Sequence, residues 1–257
     1  MKVGKLAGLW LWCISLVCPV QASGLVAQVE KLKPAVVGVG LVAPLATVSH
    51  QLKGTGFVIG DGHYVVTNEH VIATPVPDNI KYQRAVFAGH GRQGKVIPVE
   101  KIYADTTHDL AILKLAEKLP TLALQQPAAI IPDGSDIAAT GFPIGGVLGL
   151  YPATHKGIVA AYTPTIIAAK NSQQISERFM QGLRNPFMVY QLDIVAYPGS
   201  SGSPVYLPET GEVFAVINKV FVQQTKESAI TQPSGITYAI PVEHVYALAR
   251  QHNIPMH

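Results

Sequence analysis

The stretch 197–205, YPGSSGSPV, places Ser200, Ser201 and Ser203 within four positions, framed by Gly199, Gly202 and two prolines. A serine hydroxyl is a weak nucleophile. To attack a carbonyl it needs a histidine to take its proton, a carboxylate to orient that histidine, and backbone N–H groups to hold the oxyanion. Glycines at 199 and 202 let the chain bend tightly enough to aim several N–H groups at one point, those of Gly199 and Ser201 in particular. Alone, such a cluster reads more often as a plain turn.

Partners are present upstream. In GTGFVIGDGHYVVTNEHVI (54–72), the Gly60-Asp61-Gly62 hairpin signal feeds a strand that ends at Thr67-Asn68-Glu69-His70. A histidine just past a strand end is held firmly yet remains reachable. In HDLAILKL (108–115), Asp109 immediately precedes an apolar strand, where an acid can be partly buried, as an orienting carboxylate must be. His108 competes as the base, but beside Asp109 on a strand it is expected to point the opposite way. Glu69 competes as the acid and is expected to face solvent.

The ordered set TNEHVI, HDLAILKL and PGSSGSPV resembles the trypsin-like serine proteases, most closely their HtrA (Deg) branch. Other stretches agree: VEKLKPAVVGV, GFPIG, GIVAA, GEVFAVIN and GITYAIPVEHV, so that the resemblance runs from about residue 26 to 250. The order His, Asp, Ser sets an α/β-hydrolase aside, because that fold needs Ser, acid, His and a Gly-x-Ser-x-Gly elbow. The resemblance implies Ser201 as nucleophile, His70 as general base and then acid, and Asp109 as the group fixing the imidazole tautomer. It implies that the N–H groups of Gly199, Ser200 and Ser201 form or shape the oxyanion hole. It also implies Val195 at the base of the primary pocket, Ile217 and Asn218 on the strand that pairs with substrate, and Asp193 as an acid of the activation loop. An uncharged Val195 points to cleavage after small or medium apolar residues. The family has asparagine and glycine where this chain has Ser200 and Ser203. It continues into PDZ domains, which this sequence is expected to lack, and 163–187 stands in the place of its sensor loop. It also assembles into homo-oligomers, often trimers, through an N-terminal segment that corresponds to 23–34 here.

The elements that must position these residues read as all-β. Leu25, Val26, Val29 and Leu32 recur at helical spacing after a Ser23 cap, and Pro34 stops that short helix. Twelve β-branched apolar runs follow, at 35–42, 55–59, 64–67, 84–88, 95–103, 110–115, 136–140, 157–162, 188–195, 203–207, 212–222 and 235–240. They predict two six-stranded antiparallel β-barrels of the chymotrypsin/trypsin type, about 23–125 and 126–240. Pro241 at a first helical position and the spacing of Val242, Val245, Tyr246 and Ala249 predict a closing helix over 241–252.

Residues 1–22 read as a secretory signal peptide: Lys2 and Lys5, an apolar run from Leu6 to Val17, Pro19, and small residues for cleavage at Val20-Gln21-Ala22. The run is short of the roughly 20 residues that a spanning helix needs. The expected location is therefore the periplasm, or the medium, with no stable membrane span after cleavage. Both cysteines, Cys13 and Cys18, lie in the signal, which leaves 23–257 without a disulfide, thiol nucleophile or thiolate metal site. Without Lys2 and Lys5 the chain carries 17 basic against 16 acidic residues, and nothing points to nucleic acid. No cofactor and no metal is expected, the His252/His257 pair being a weak ligand set. The expected partner is a polypeptide substrate. The competing reading is a trypsin-like scaffold that holds peptides as a binding or chaperone-like module without cutting them.

Overall fold

The computed structural model describes residues 24–43, 50–73, 82–144, 149–165, 186–218 and 236–256. The expected signal segment, most of 163–187 and the end of the run 212–222 lie outside them. Helix α1 (Gly24–Leu32) leads through a 3-10 turn at Pro34 into six strands: β1 (Val36–Val42), β2 (His50–Ile59), β3 (Tyr64–Thr67), β4 (Gln83–Ala88), β5 (Lys95–Asp105) and β6 (Leu110–Leu115). A four-residue helix, α2 (Glu69–Ile72), follows β3. Six more strands come after: β7 (Asp136–Gly141), β8 (Ala153–Pro164), β9 (Met188–Asp193), β10 (Pro204–Tyr206), β11 (Val213–Asn218) and β12 (Ile236–Pro241), then α3 (Val242–Gln251).

All strand pairs within the sheets are antiparallel, and they close two barrels, β1-β2-β3-β6-β5-β4 and β10-β11-β12-β9-β8-β7. Closure leaves no edge strand to be protected. Each barrel has an apolar interior: Val37, Val58, Val86 and Leu113 fill the first, and Ile137, Val159, Leu192 and Phe214 the second. A third cluster welds them. Phe57, Leu110 and Ile112 of the first barrel meet Phe142, Tyr206 and Val216 of the second, with Val245, Leu248 and Ala249 of α3 packed against both. This welded seam is what holds residues from distant parts of the chain in one place.

The twelve expected strands are all present, with longer β2 and β8 than apolar runs alone suggest. The polar starts of these strands, His50-Gln51-Leu52-Lys53 and Ala153-Thr154-His155-Lys156, are held by pairing with β1 and β7. Pro241 ends β12 as the N-cap, and α3 begins one residue later.

Candidate active site

The carboxylate of Asp109 is the point on which three elements converge. Its Oδ2 accepts the Nδ1 side of His70 at 2.6 Å and the side-chain amide of Asn218, on β11, at 2.9 Å. Its Oδ1 accepts the backbone N–H of His70 at 2.8 Å. The Asp109 carbonyl accepts the Nδ2 amide of Asn68 at 3.1 Å and the N–H of Glu69 at 3.2 Å. Both faces of one residue thus meet the first turn of α2. That is achieved by a left-handed backbone at Asp109, φ 52°, a conformation that short polar side chains adopt more easily than most. Side-chain exposure is 14% for Asp109 and 25% for His70, so the acid is enclosed while the ring still opens outward.

The turn bearing Ser201 lies across the seam. Its carbonyl accepts the N–H of Thr55 at 2.8 Å, and Thr55 Oγ1 donates to the Gly199 carbonyl at 2.7 Å. On the opposite flank, Gly202 N–H donates to the Ile217 carbonyl and Ile217 N–H to the Ser203 carbonyl, each at 2.9 Å. Gly199 and Gly202 have φ of 97° and 85°. A Cβ on Gly202 would strike the Thr55 carbonyl and stand 2.6 Å from Thr67 Oγ1, at the end of the strand that delivers His70. A Cβ on Gly54 would stand 3.0 Å from the Ser201 carbonyl and 2.7 Å from the Val71 side chain, next to His70. Glycine at 54 and 202 is what lets the serine turn sit against the histidine-bearing segment.

The Pro198 carbonyl accepts the N–H of Ile144 at 2.6 Å. Because C=O and N–H point oppositely across a trans peptide, this bond turns the N–H of Gly199 away from Ile144. Among the described residues no acceptor takes the N–H of Gly199 or of Ser201. The N–H of Ser200, by contrast, donates to the Tyr197 carbonyl at 2.9 Å. Ser200 therefore shapes this turn, and the N–H groups of Gly199 and Ser201 are the two left without an acceptor among the described residues. Its Oγ accepts the Tyr197 N–H at 3.3 Å, closing the turn from the other side. Ser203 Oγ is buried against Gly141 without a hydrogen-bond partner among the described residues.

Several expectations are revised. Ile217 is 2% exposed and both its backbone groups are engaged with 202–203, so it braces the turn that bears Ser201 and has no backbone group left for pairing with a substrate strand. Asn218 aims its side chain at Asp109, a structural duty that a strand-pairing assignment overlooks. Glu69 is 7% exposed, not solvent-facing, because α2 tucks against the first barrel. Val195 is half-buried between Ile194 and Ala196, both in the second-barrel core. Asp193 ends β9, exposed, opposite Ile158 and Ile236. His108 does point away from the site, into a pair of its own: Nδ1 meets Asp105 Oδ2 at 2.6 Å, and its ring stacks on His244 at 3.9 Å. Burial raises the Asp105 carboxyl, but the hydrogen bonds and charge of His108 outweigh it and hold the group below its ordinary value. Thr55 and Ile144 escaped the sequence reading. The Gly-Thr-Gly spelling of 54–56 is the signal that marks a close backbone approach.

The profile of the trypsin-like peptidase domain matches residues 54–216, and the chain belongs to that family. It is 30% identical over 199 residues to a probable periplasmic serine endoprotease, DegP-like, of Halomonas elongata, covering 77% of this chain and 34% of that protein. It is 28% identical over 223 residues to serine protease HTRA1A of Danio rerio, covering 84% and 39%. The chain thus spans little more than a third of the length of these relatives. Among solved structures, Deg5 superposes with a TM-score of 0.58 at 25% identity, over 87% of this chain and 91% of that one. The HtrA-type protease AlgW with a tripeptide gives 0.61 at 22% identity, over 90% and 63%, a likeness of fold. Among the described residues no helix is long and apolar enough to cross a membrane.

Proposed function

We propose that the protein is an exported serine endopeptidase that cleaves polypeptides through Ser201, His70 and Asp109. The observation that carries this reading is the Asp109 carboxylate bridging both N–H groups of His70, beside a glycine-bent turn that presents Ser201. In this reading Asp109 holds the His70 ring with Nδ1 protonated, which leaves Nε2 free to take the Ser201 proton. The Ser201 oxygen then bonds to the scissile carbonyl carbon. Negative charge moves onto the carbonyl oxygen, which the N–H groups of Gly199 and Ser201 receive. The proton on Nε2 passes to the leaving nitrogen as the C–N bond breaks. Water, deprotonated by the same ring, releases the acyl group and restores Ser201.

The uncharged, half-buried Val195 supports a preference for small or medium apolar residues before the cleaved bond, and the similarity to a DegP-like serine endoprotease supports a polypeptide substrate. Lys2, Lys5 and the apolar run behind them support export to the periplasm or medium. The Ser203 hydroxyl, where the family has glycine, has no partner among the described residues and favours the second reading, a scaffold that holds peptides without cutting them.

A fluorophosphonate probe applied to the folded full chain separates the two. Labelling of the wild type, lost in Ser201→Ala together with at least a 10⁴-fold fall in kcat on an unfolded protein, is the expected result. Folded wild type that takes no label overturns the peptidase and leaves the scaffold.

A further inference from the structure

Beside the site stands a second pairing of a carboxylate with a histidine. Asp105 ends β5 and Leu110 opens β6 opposite it, so residues 106–109 form the loop that delivers Asp109. Asp105 Oδ1 accepts the N–H groups of Thr107 at 2.9 Å and of His108 at 3.1 Å, a turn that an aspartate makes with its own backbone. Its Oδ2 meets Nδ1 of His108 at 2.6 Å. The pattern repeats what Asp109 does with His70, where one oxygen takes the backbone N–H and the other takes the ring.

His108 in turn reaches α3. Its ring lies on that of His244, with centroids 3.9 Å apart and planes 19° from parallel. Phe187, just before β9, meets both rings edge to face, at 4.7 Å and 5.3 Å. Thr106 and Thr107 are exposed, so the His108 ring is the first side chain of the loop that grips the body of the protein. On the other side of Asp109, Leu110 is buried in the weld to which α3 gives Val245. The chain is thus held both before and after Asp109. This matters because Asp109 has φ 52°. A left-handed aspartate lies above the extended form in energy, and a loop with two exposed residues ahead of it has room to relax toward the lower basin. Relaxation would swing the carboxylate off His70, because a side chain follows its own backbone. The bonds from His70 and Asn218 aim the carboxylate, and the grip on 105–108 fixes the backbone that carries it.

We propose that Asp105, His108 and His244 form a clamp between the β5–β6 loop and α3 that keeps the backbone of Asp109 left-handed, which makes all three positioning residues for the reaction. The inference rests on the peptidase reading and adds to it the residues that hold its acid. The stack is not opposed by a charge on His244. Burial first, and the charge of His108 second, push that imidazole down to about 4, with Asp105 opposing. Glu243, on the same helix, stands 3.7 Å from its Nε2.

The test uses a peptidyl 4-nitroanilide and the full chain, with urea midpoints to establish that each variant is folded. Asp105→Ala frees His108 and two N–H groups of the turn, and is expected to lower kcat about tenfold with KM within about twofold. His244→Ala removes the ring beneath His108 and is expected to lower kcat about fivefold, whereas His244→Phe restores the ring face and recovers kcat to within about twofold. Parts of one clamp do not act independently, so the double variant Asp105→Ala/His244→Ala is expected to lose about tenfold, well short of the roughly fiftyfold of two separate effects. Proton NMR reads the clamp without turnover. The Nδ1 proton that His70 gives to Asp109 sits in a short, charge-assisted bond and resonates far downfield. It is expected to be sharp in the wild type and in His244→Phe, and lost to exchange in Asp105→Ala and His244→Ala. The His108 proton on Asp105 gives a similar signal, identified by its loss in His108→Phe.

Wild-type kcat and an intact His70 signal in folded Asp105→Ala overturn the clamp and leave the peptidase standing. Losses that multiply in the double variant, or that fall on KM alone, overturn it equally. Should the alanine variants not fold, His108→Phe decides, because it keeps a ring between Phe187 and His244 and deletes only the bond to Asp105. It is expected to lower kcat about threefold, and an unaltered kcat and His70 signal there overturn the clamp. A folded wild type that cleaves no anilide overturns the peptidase reading, and the His70 signal across these variants then decides the clamp alone.

Discussion

At the scale of single residues, the site is governed by how many donors one carboxylate gathers. Asp109 receives two N–H groups of His70 and the amide of Asn218, and these charge-assisted bonds in a largely enclosed position hold its orientation better than a lone pairing with the imidazole would. The side chain of Asn218 positions Asp109. Removing it leaves the His70–Asp109 pair in place but lets the carboxylate turn. Asn218→Ala is expected to lower kcat about tenfold with KM little changed, matching the roughly 1.5 kcal/mol of a hydrogen bond to a charged group. Asn218→Asp, which sets a second negative charge 2.9 Å from Asp109, is expected to lower it further. Steady-state kinetics on a peptidyl anilide check both, and an unaltered kcat in Asn218→Ala removes the positioning role. Asp109 itself was legible as an acid at a strand start. Its φ of 52° was not, because nothing in HDLAILKL distinguishes a left-handed aspartate from an extended one.

At the scale of elements, the twelve apolar runs were legible because each barrel strand buries one face or both, and β-branched residues cluster where it does. What periodicity missed were the mostly polar strand segments held largely by pairing, 50–54 and 153–156, and the four-residue α2, too short to show a helical period. The nucleophile turn is an element of another kind, defined by glycines rather than by apolar pattern. Gly202 is squeezed between the Thr55 carbonyl and Thr67 Oγ1 in a left-handed conformation. Gly202→Ala is therefore expected to destabilise the fold by about 2–4 kcal/mol, from backbone strain and overpacking together. It is also expected to abolish fluorophosphonate labelling. Urea unfolding measures the first effect, and a loss under 1 kcal/mol with labelling retained contradicts the close packing of β2 on this turn.

At the scale of the whole molecule, two barrels sealed by α3 create environments that no segment has alone. His244 of α3 is 15% exposed at its side chain, stacks on His108, meets Phe187 edge to face, and has no hydrogen-bond partner for Nε2 among the described residues; Glu243 Oε1 stands 3.7 Å away. Burial pushes this imidazole down to about 4, with the positive charge of His108 adding to the effect and Asp105 opposing it. The folded state thus keeps His244 neutral where the unfolded chain, near 6.5, takes up a proton. The resulting stability is present above pH 6.5 and is lost as the pH falls toward 4, up to roughly 3 kcal/mol in all. His244→Phe keeps the ring packing without the titration, so its urea midpoint is expected to match wild type near pH 7 and exceed it near pH 4.5. Equal midpoints at both values contradict the buried neutral imidazole. By itself the sequence determined the architecture, twelve short strands and a closing helix, and it singled out the serine, histidine and aspartate that stand in the order of a trypsin-like site and are proposed to do its chemistry. Those features follow from residue type and local periodicity, which act over a few positions. Only the tertiary structure decided which groups complete the site, Asn218 on Asp109, Thr55 on Ser201 and Ile144 on Pro198, and which stand apart, as His108 does with Asp105. These pairings join residues far apart in the chain, and they exist because the apolar weld between the barrels fixes their distances, which no local pattern encodes.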